Sequence, residues 1–352
     1  LARFRYPDVL LNTHYRSKYE ELIDFSNYAF YKGRLFVAPN TDKPEKPPIE
    51  VHQVTDAVWQ GRANRKEAER VVELIKEFFA TRQNNETIGV IAFNVSQRDM
   101  IYDVIDEESV KDPKFGSIVR AEMARKDNGE DTGFFVKNIE SVQGDERDVI
   151  MFSIGYAKNT SGRLIHNFGW LNQKGGENRL NVAISRAKKK IHIVTSFRPA
   201  ELMLDDAKND GPRILKRYLE YAFAVSREDH DEAEMILRSF GETYGIVAAP
   251  LETEFAQRVA DALREKGYDI DTQVGIGGYR IDIAVRKGGK YVLGIECDGK
   301  LYSVASSARE RDYHRQKYLE SRGWKIKRIW SMDWWRDPQR EIYNICEIVD
   351  AL

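Results

Sequence analysis

The sequence predicts an α/β protein with two domains, and three observations lead to this fold class. The chain has 352 residues, which is enough for two hydrophobic cores. The continuous apolar run Ile88–Phe93 follows the amphipathic pattern Glu67–Thr81, which is typical of a parallel sheet covered by helices. Near the C-terminus, apolar and polar residues alternate over Arg280–Val285 and Tyr291–Asp298, which predicts two half-buried strands.

The expected organisation is a first domain at 1–200, a helical linker at 201–250 and a second domain at 251–352. The linker prediction rests on Pro212 at a helix start and on the acidic, polar segment Ser226–Glu234. The first residue is Leu1, so we expect the sequence to be a fragment of a longer protein.

The composition favours a soluble globular protein, with 42% apolar residues, 32% charged residues and a net charge of −1. No apolar run approaches the roughly 18 residues of a membrane span and no secretory signal is visible, so no membrane association is expected. Cys297 and Cys346 are the two cysteines, which argues against a disulfide framework and favours a cytoplasmic setting. The six histidines do not follow zinc-binding spacing, so we predict no zinc.

The pairing register of the two C-terminal strands decides where their acidic residues lie. A two-residue turn at 288–289 would pair Asp282 with Ile295, whereas a three-residue loop at 288–290 would pair Asp282 with Glu296 and Ile283 with Ile295. We expect the three-residue loop, because it keeps the apolar residues of both strands on one face.

That register brings Asp282, Glu296 and Asp298 close together on the other face. Like charges about 4 Å apart repel by roughly 1 to 4 kcal/mol per pair. Three gathered acids therefore predict a hard divalent cation with oxygen ligands.

Over residues 251–335 the chain has, in order, a helix with a Glu, a strand opening with Gln-Val, the strings Ile-Asp and Ile-Glu-x-Asp-Gly, a basic helix and a strand opening with Gly-Trp. This order resembles the PD-(D/E)xK nucleases, in particular their Vsr-like endonuclease domains. The resemblance implies a restriction-endonuclease-like α/β fold that binds Mg²⁺ or Mn²⁺ and cuts DNA. It implies that Asp282 and Glu296 are metal ligands, that Glu254 is the acid of the first helix and that Gln273 is the polar residue opening the first core strand. Asp298 stands where the wider family has a Lys and Ser303 where close relatives have a His. Asp298 is then expected to add a ligand or to position water.

Three strings in the first domain have a second resemblance. THYRS contains Arg16, ESVQGDERD contains Gly144, and RLNVAISRAKK begins at Arg179. Together they resemble motifs of superfamily 1 helicases, of the 1B-like kind, where these motifs lie in the second of two RecA-like domains. The resemblance implies a RecA-like parallel-sheet domain at 1–200.

The helicase resemblance also implies roles for individual residues. Arg16 is expected to reach the nucleotide phosphates, and Gln143, Gly144 and Glu146 to form a turn that approaches the nucleotide, with the Glu on ribose hydroxyls. Arg186 is expected to stabilise charge on the γ-phosphate in the transition state, with Arg179 and Ser185 as its neighbours. A structural salt bridge of Arg16 and an ordinary polar turn at 143–146 are the alternatives.

The chain contains no GxxxxGK[ST] phosphate loop. The Walker A and B residues that complete an ATP site are therefore expected in a first RecA-like domain upstream of this sequence or on another polypeptide. Together, the resemblances imply the C-terminal part of an ATP-dependent DNA helicase with a metal-dependent nuclease domain. The alternatives are an inactive nuclease fold that only binds DNA and an RNA-directed helicase accessory.

Overall fold

The computed structural model describes residues 13–42, 44–165, 167–204, 207–244, 254–275, 280–298 and 308–352. The chain divides into two compact units. The first unit comprises Arg16–Phe30 and Lys46–Phe240, and the second comprises Leu1–Tyr15, Tyr31–Glu45 and Gly241–Leu352. None of the helices in the described ranges is both long and apolar enough to cross a membrane.

The strands, in chain order, are β1 Thr13–His14, β2 Phe36–Val37, β3 Ile49–Gln53, β4 Ile88–Ala92, β5 Lys126–Asp127, β6 Glu130–Asp131, β7 Phe135–Asn138, β8 Arg147–Ser153, β9 Ala187–Thr195, β10 Asp269–Val274, β11 Ile281–Lys287, β12 Lys290–Asp298 and β13 Ile326–Trp330. The α-helices are α1 Glu21–Tyr31, α2 Arg65–Thr81, α3 Val95–Lys111, α4 Pro113–Met123, α5 Glu177–Ile184, α6 Gly211–Ser226, α7 His230–Tyr244, α8 Glu254–Glu265, α9 Ala308–Ser321, α10 Ser331–Arg336 and α11 Pro338–Asp350. The α/β class predicted from the sequence is confirmed.

The first unit is built on a five-stranded sheet in the order β3-β9-β8-β4-β7, and every pair of neighbours is parallel. Successive residues of β8 enter opposite cores: Ile150 and Phe152 pack in one apolar cluster, and Val149 and Met151 in the other. Because both faces are covered, the central strands are continuous apolar runs rather than alternating ones. This is the RecA-like sheet that the sequence predicts.

Helix α6 contributes some of the largest side chains of the first core, although it lies within the predicted linker. Leu215, Tyr218, Leu219 and Tyr221 are almost completely buried there, and the ring of Phe25 packs edge-on against Tyr218. Residues 211–240 therefore stabilise the first unit by apolar burial.

A fully buried acid, Glu67, lies in the first turn of α2. Its Oε1 accepts hydrogen bonds from Gly155 N (2.5 Å) and Ser153 Oγ (3.0 Å), and its Oε2 accepts one from Ser196 Oγ (3.1 Å). Burial raises the pKa of Glu67 to about 8, even though these hydrogen bonds oppose the change. The carboxyl group thereby joins the start of α2 to the carboxyl ends of β8 and β9.

The second unit contains a four-stranded sheet in the order β10-β11-β12-β13. The first three strands pair antiparallel and β13 joins β12 in parallel. Helices α8 and α11 cover one face with residues such as Val259 and Ile345. Leu319 of α9 and Trp324 lie in a second apolar cluster, and Trp324 Nε1 donates to Pro39 O (2.7 Å).

The connection between β11 and β12 differs from the predicted loop. Lys287 pairs with Lys290, so the turn has two residues, Gly288 and Gly289, both with positive φ. The prediction of a three-residue loop was wrong. A two-residue turn alone would place the strands one residue out of the predicted register. A bulge beside Val285 shifts the pairing by one residue, so that Ile283 pairs with Ile295 as predicted.

Candidate functional sites

The first candidate site gathers three of the residues that the helicase resemblance singles out. Arg16 Nε lies 2.6 Å from Glu146 Oε2, and Arg16 Nη1 donates to Ser185 O at 3.1 Å. Ser185 directly follows α5, and Glu146 directly precedes β8. The arginine therefore joins the end of a helix to the start of a strand, although it lies more than a hundred residues away in the chain.

Glu146 is held between two cations, because Lys188 Nζ lies 2.8 Å from its Oε1. Partial burial alone would raise the pKa of this carboxyl group, but the hydrogen bonds from Lys188 and Arg16 lower it to about 2. Glu146 is thus ionised at neutral pH and both of its oxygens are engaged.

Arg186 is positioned by three acceptors. Its Nε donates to Val182 O (2.8 Å), its Nη1 to Asp145 O (3.3 Å) and its Nη2 to Ser185 Oγ (3.0 Å). These bonds hold the guanidinium between the end of α5 and the loop before β8. A planar group fixed in this way suits recognition of a phosphate.

The remaining residues of the predicted nucleotide site are Gln143, Gly144 and Arg179. Gly144 has φ +93°, a conformation that favours glycine, while Gln143 beside it is exposed. The guanidinium of Arg179 lies over the Trp170 ring, 4.8 Å from its centroid. Arg179 lies near the start of α5 and Arg186 beyond its end, so about 10 Å of helix separates the two arginines.

Trp170 also borders a groove of about 850 Å³ in the first unit. The groove includes Asn94, which follows β4, and a stacked pair of rings, Trp59 and Tyr156, with centroids 4.7 Å apart. Aromatic faces and polar side chains beside a groove are suited to stacking bases of a single strand. Sequence reasoning missed this region because its residues come from four separate loops.

The second candidate site is centred on Asp282, at the start of β11. Asp282 Oδ2 accepts a hydrogen bond from Cys297 N (2.7 Å), and Oδ1 accepts one from Gln273 Nε2 (3.3 Å). Burial raises the pKa of Asp282 above its usual value, while these bonds and the charge of Arg315 oppose the shift. Gln273 has φ +53°, which is strained for a residue with a side chain.

Glu296, on β12, is paired with a residue that sequence reasoning did not identify. Arg315 Nη1 lies 2.6 Å from Glu296 Oε2, with the two side chains 18% and 7% exposed. The same guanidinium donates through Nη2 to Arg280 O. Arg315 therefore lies beside both acids, because its charge also acts on Asp282. Its position four residues before the buried Leu319 is a signal that this side chain points inward.

Other predicted residues of the nuclease site are placed differently or cannot be placed. Glu254 begins α8, is strongly exposed and pairs with Arg258 at 2.7 Å. The Asp298 side chain and Ser303 lie outside the described residues. Among the side chains that are described, no third His, Cys, Asp or Glu completes a three-ligand group with Asp282 and Glu296.

The observed donors suit a hard cation in part. Two carboxylates from adjacent strands are the ligand type that Mg²⁺ and Mn²⁺ use, and both are shielded from solvent. In this structure Glu296 has a guanidinium as its cationic partner instead. A metal ion at Glu296 would therefore share the carboxylate with Arg315 or displace it.

Comparisons with known families agree with the two units. Residues 2–198 match a family described as an AAA domain (AAA_12), and residues 255–349 match the restriction-endonuclease-like family REase_MTES_1575. These two family matches confirm the resemblance seen in the sequence. A helicase-type RecA-like domain is followed by a restriction-endonuclease-like domain.

Two curated proteins are similar over most of this chain. They are the uncharacterized ATP-dependent helicase MG140 of Mycoplasma genitalium and its homolog in Mycoplasma pneumoniae, each 30% identical over 94% of this chain. The chain spans 28% of the length of each relative. A solved structure, the C-terminal domain of a possible DNA helicase from Lactobacillus plantarum, is 15% identical and covers 55% of this chain and 96% of its own, with a TM-score of 0.29.

Proposed function

Because the chain belongs to the AAA domain family, we propose that it is the C-terminal part of an ATP-dependent DNA helicase that also carries a metal-dependent nuclease domain. The cluster of Arg16, Glu146 and Arg186 supports the ATPase half of this proposal. The buried pair Asp282 and Glu296 supports the nuclease half. The relatives named as helicases support the same assignment.

The proposed ATP site is shared between two domains. Arg186 would contact the γ-phosphate. Arg16 would give up its hydrogen bond to Glu146 and contact the phosphates of the nucleotide. Glu146, freed in this exchange, would accept hydrogen bonds from the ribose hydroxyls. Gln143, Gly144 and Arg179 would line the approach. The phosphate loop and the acid that binds Mg²⁺ would come from a first RecA-like domain upstream.

The proposed nuclease site uses Asp282 and Glu296 as ligands of Mg²⁺ or Mn²⁺. The bound metal would activate water and neutralise charge on the scissile phosphate. Gln273 and Cys297 N hold the Asp282 carboxylate in place, and Arg315 holds that of Glu296. Asp298 would add a third ligand or position water, and Glu254 would be the acid of the first helix.

The ion pair between Glu296 and Arg315 favours one alternative, a domain that binds DNA without cutting it. If Arg315 keeps the carboxylate, the site has no second metal ligand among the described side chains. Incubation of plasmid and single-stranded DNA with the chain and Mg²⁺ or Mn²⁺ separates the two functions. Cleavage supports the nuclease, and retention of DNA without cleavage supports the binding module.

We further propose that the helicase portion is 1–200, the nuclease portion is 251–352, and 201–250 is a helical connection whose residues 211–240 pack on the first unit. Limited proteolysis tests this assignment. Cuts concentrated within 241–253 would leave α6 attached to the first unit. The helicase portion would then end at the end of α7 and not at residue 200. Cuts near residue 200 would support the proposed limit.

A further inference from the structure

The first unit carries a cluster of two imidazoles and one carboxylate that neither proposed site uses. Glu50 and His52 lie on β3, and His192 lies on β9. The two strands pair in parallel, with Glu50 opposite His192. Residues two apart on a strand share a face of the sheet. The three side chains therefore converge on one face although 140 residues of chain separate His52 from His192.

The three ligand atoms of the cluster are spaced as the ligands of a small metal ion are. His52 Nε2 lies 3.0 Å from His192 Nδ1, His192 Nδ1 lies 3.4 Å from Glu50 Oε2, and His52 Nε2 lies 3.9 Å from the same oxygen. A triangle with these sides has a point about 2.0 Å from all three atoms, and zinc bonds to imidazole nitrogen and carboxylate oxygen measure about 2.0 to 2.2 Å.

The site is partly open and its carboxylate is held in place. The side chains of Glu50, His52 and His192 are 24%, 20% and 14% exposed, so solvent and an ion can reach them. Lys190 Nζ lies 2.6 Å from the other oxygen of Glu50, Oε1. A contact of this kind fixes the direction of a ligating carboxylate and leaves Oε2 directed at the imidazoles.

The ligand atoms of the cluster decide which kind of ion it can bind, and the surrounding charges are unfavourable to all dications. Lys190, Arg70 and Lys46 are close enough to act on His192, and their positive charge opposes any dication. Hard ions such as Mg²⁺ and Ca²⁺ bind mainly through oxygen ligands and negative charge, which one carboxylate does not supply. Imidazole nitrogens instead favour the transition-metal dications.

We propose that Glu50, His52 and His192 form a binding site for a transition-metal dication of the Zn²⁺ class, with the fourth position open to solvent. Strand β3 is at the edge of the five-stranded sheet, where it pairs with β9. An ion held by side chains of both strands would tie this edge to the sheet. With three protein ligands, the ion would keep a water molecule or a further ligand in its fourth position.

Co²⁺ is the probe, because it substitutes for Zn²⁺ and absorbs visible light when bound tetrahedrally. Titration of the 352-residue chain with Co²⁺ should give a saturable visible band at one ion per chain, and added Zn²⁺ should abolish the band and raise the melting temperature. His52→Gln and His192→Gln should each lose the band. His230→Gln, at an exposed histidine of α7, should keep it.

The double variant Asp282→Asn/Glu296→Gln separates this proposal from the proposed nuclease site, because it should keep the visible band in full. Absence of a saturable band in the wild type would overturn the proposal, as would a band that persists in both histidine variants. If those variants fold poorly, X-ray absorption spectroscopy of the zinc-loaded wild type tests the ligands directly. Imidazole scattering around the zinc is expected, and a spectrum without imidazole ligands would also overturn the proposal.

Discussion

Glu296 and Arg315 form an ion pair in the second unit, with 2.6 Å between Oε2 and Nη1 and with little solvent around either side chain. Glu296 comes from a central strand and Arg315 from α9, so the pair joins the sheet to the helix that covers it. Removing one partner of a buried pair leaves an uncompensated charge, whereas replacing both with apolar groups is often tolerated.

We therefore expect Arg315→Met to lower the free energy of unfolding by roughly 3 kcal/mol. The double variant Arg315→Met/Glu296→Leu should recover most of this loss. Urea unfolding followed by circular dichroism measures both. Lys317→Met, at an exposed position on the same helix, is the matched control. Equal stability of Arg315→Met and Lys317→Met would show that the pair does not stabilise the fold.

Glu67 should make stability depend on pH. Its pKa is about 8 in the folded chain against 4.5 as the ordinary value, so between these values the folded state holds a proton that the unfolded state releases. The stabilisation is complete below about pH 4.5 and is lost as the pH rises through the folded-state value.

Glu67→Gln should remove the decrease of unfolding free energy with pH that Glu67 causes. That decrease is at most about 1.4 kcal/mol per pH unit between the unfolded-state and folded-state pKa values of Glu67. Unfolding free energies measured from pH 5 to 8 should therefore fall more steeply for the wild type than for the variant. Glu69→Gln, at a half-exposed position on the same helix, should keep the wild-type slope. Parallel profiles for wild type and Glu67→Gln would contradict the raised pKa.

Arg186 should matter for ATP hydrolysis only when the complete site is present. This chain alone should hydrolyse no ATP above background, because it contains no phosphate loop. In the longer protein, Arg186→Ala should slow DNA-stimulated hydrolysis by about 10³-fold or more, the range for an arginine that stabilises transition-state charge.

Arg213→Ala is the control for that measurement, because Arg213 is half-exposed on α6 and pairs with Asp210 only loosely, at 3.8 Å. It should leave the rate unchanged. Robust hydrolysis by the isolated chain would refute the shared site. So would equal rates for the Arg186 and Arg213 variants.

The sequence predicted those features that are encoded by contiguous residues. The string around Arg186 and the apolar run at Ile88–Phe93 each specify a local structure, and the parallel sheet follows from them. The register of Ile283 with Ile295 was also predicted correctly, but for the wrong reason. The two-residue turn and the bulge together give the same strand register as a three-residue loop without a bulge. The alternation of apolar and polar residues in the sequence cannot distinguish these two arrangements.

Features that depend on distant residues were missed. Arg315 reaches Glu296 from α9, a helix that the sequence analysis did not connect with the acids of the strands. Helical spacing gives the residues that share a face but not the face that meets the sheet. The cluster of Glu50, His52 and His192 has no zinc-like spacing because its ligands come from two strands that pair only in the folded chain.

The most direct test of the proposed function is metal-dependent DNA cleavage by the wild type and by Asp282→Asn, assayed together with thermal melting. The variant keeps an acceptor for Cys297 N, so we expect an unchanged melting temperature without metal. Asp269→Asn, at an exposed position on β10, is the control and should cut like the wild type.

With Mn²⁺, the wild type should cleave DNA and gain thermal stability, because an ion that binds only the folded state stabilises it by mass action. Asp282→Asn should lose at least about two orders of magnitude in cleavage rate, equivalent to about 2.7 kcal/mol of barrier, and most of the metal-induced stabilisation. Failure of the wild type to cleave with either Mg²⁺ or Mn²⁺, or equal cleavage by Asp282→Asn, would contradict the assignment of this domain as a nuclease.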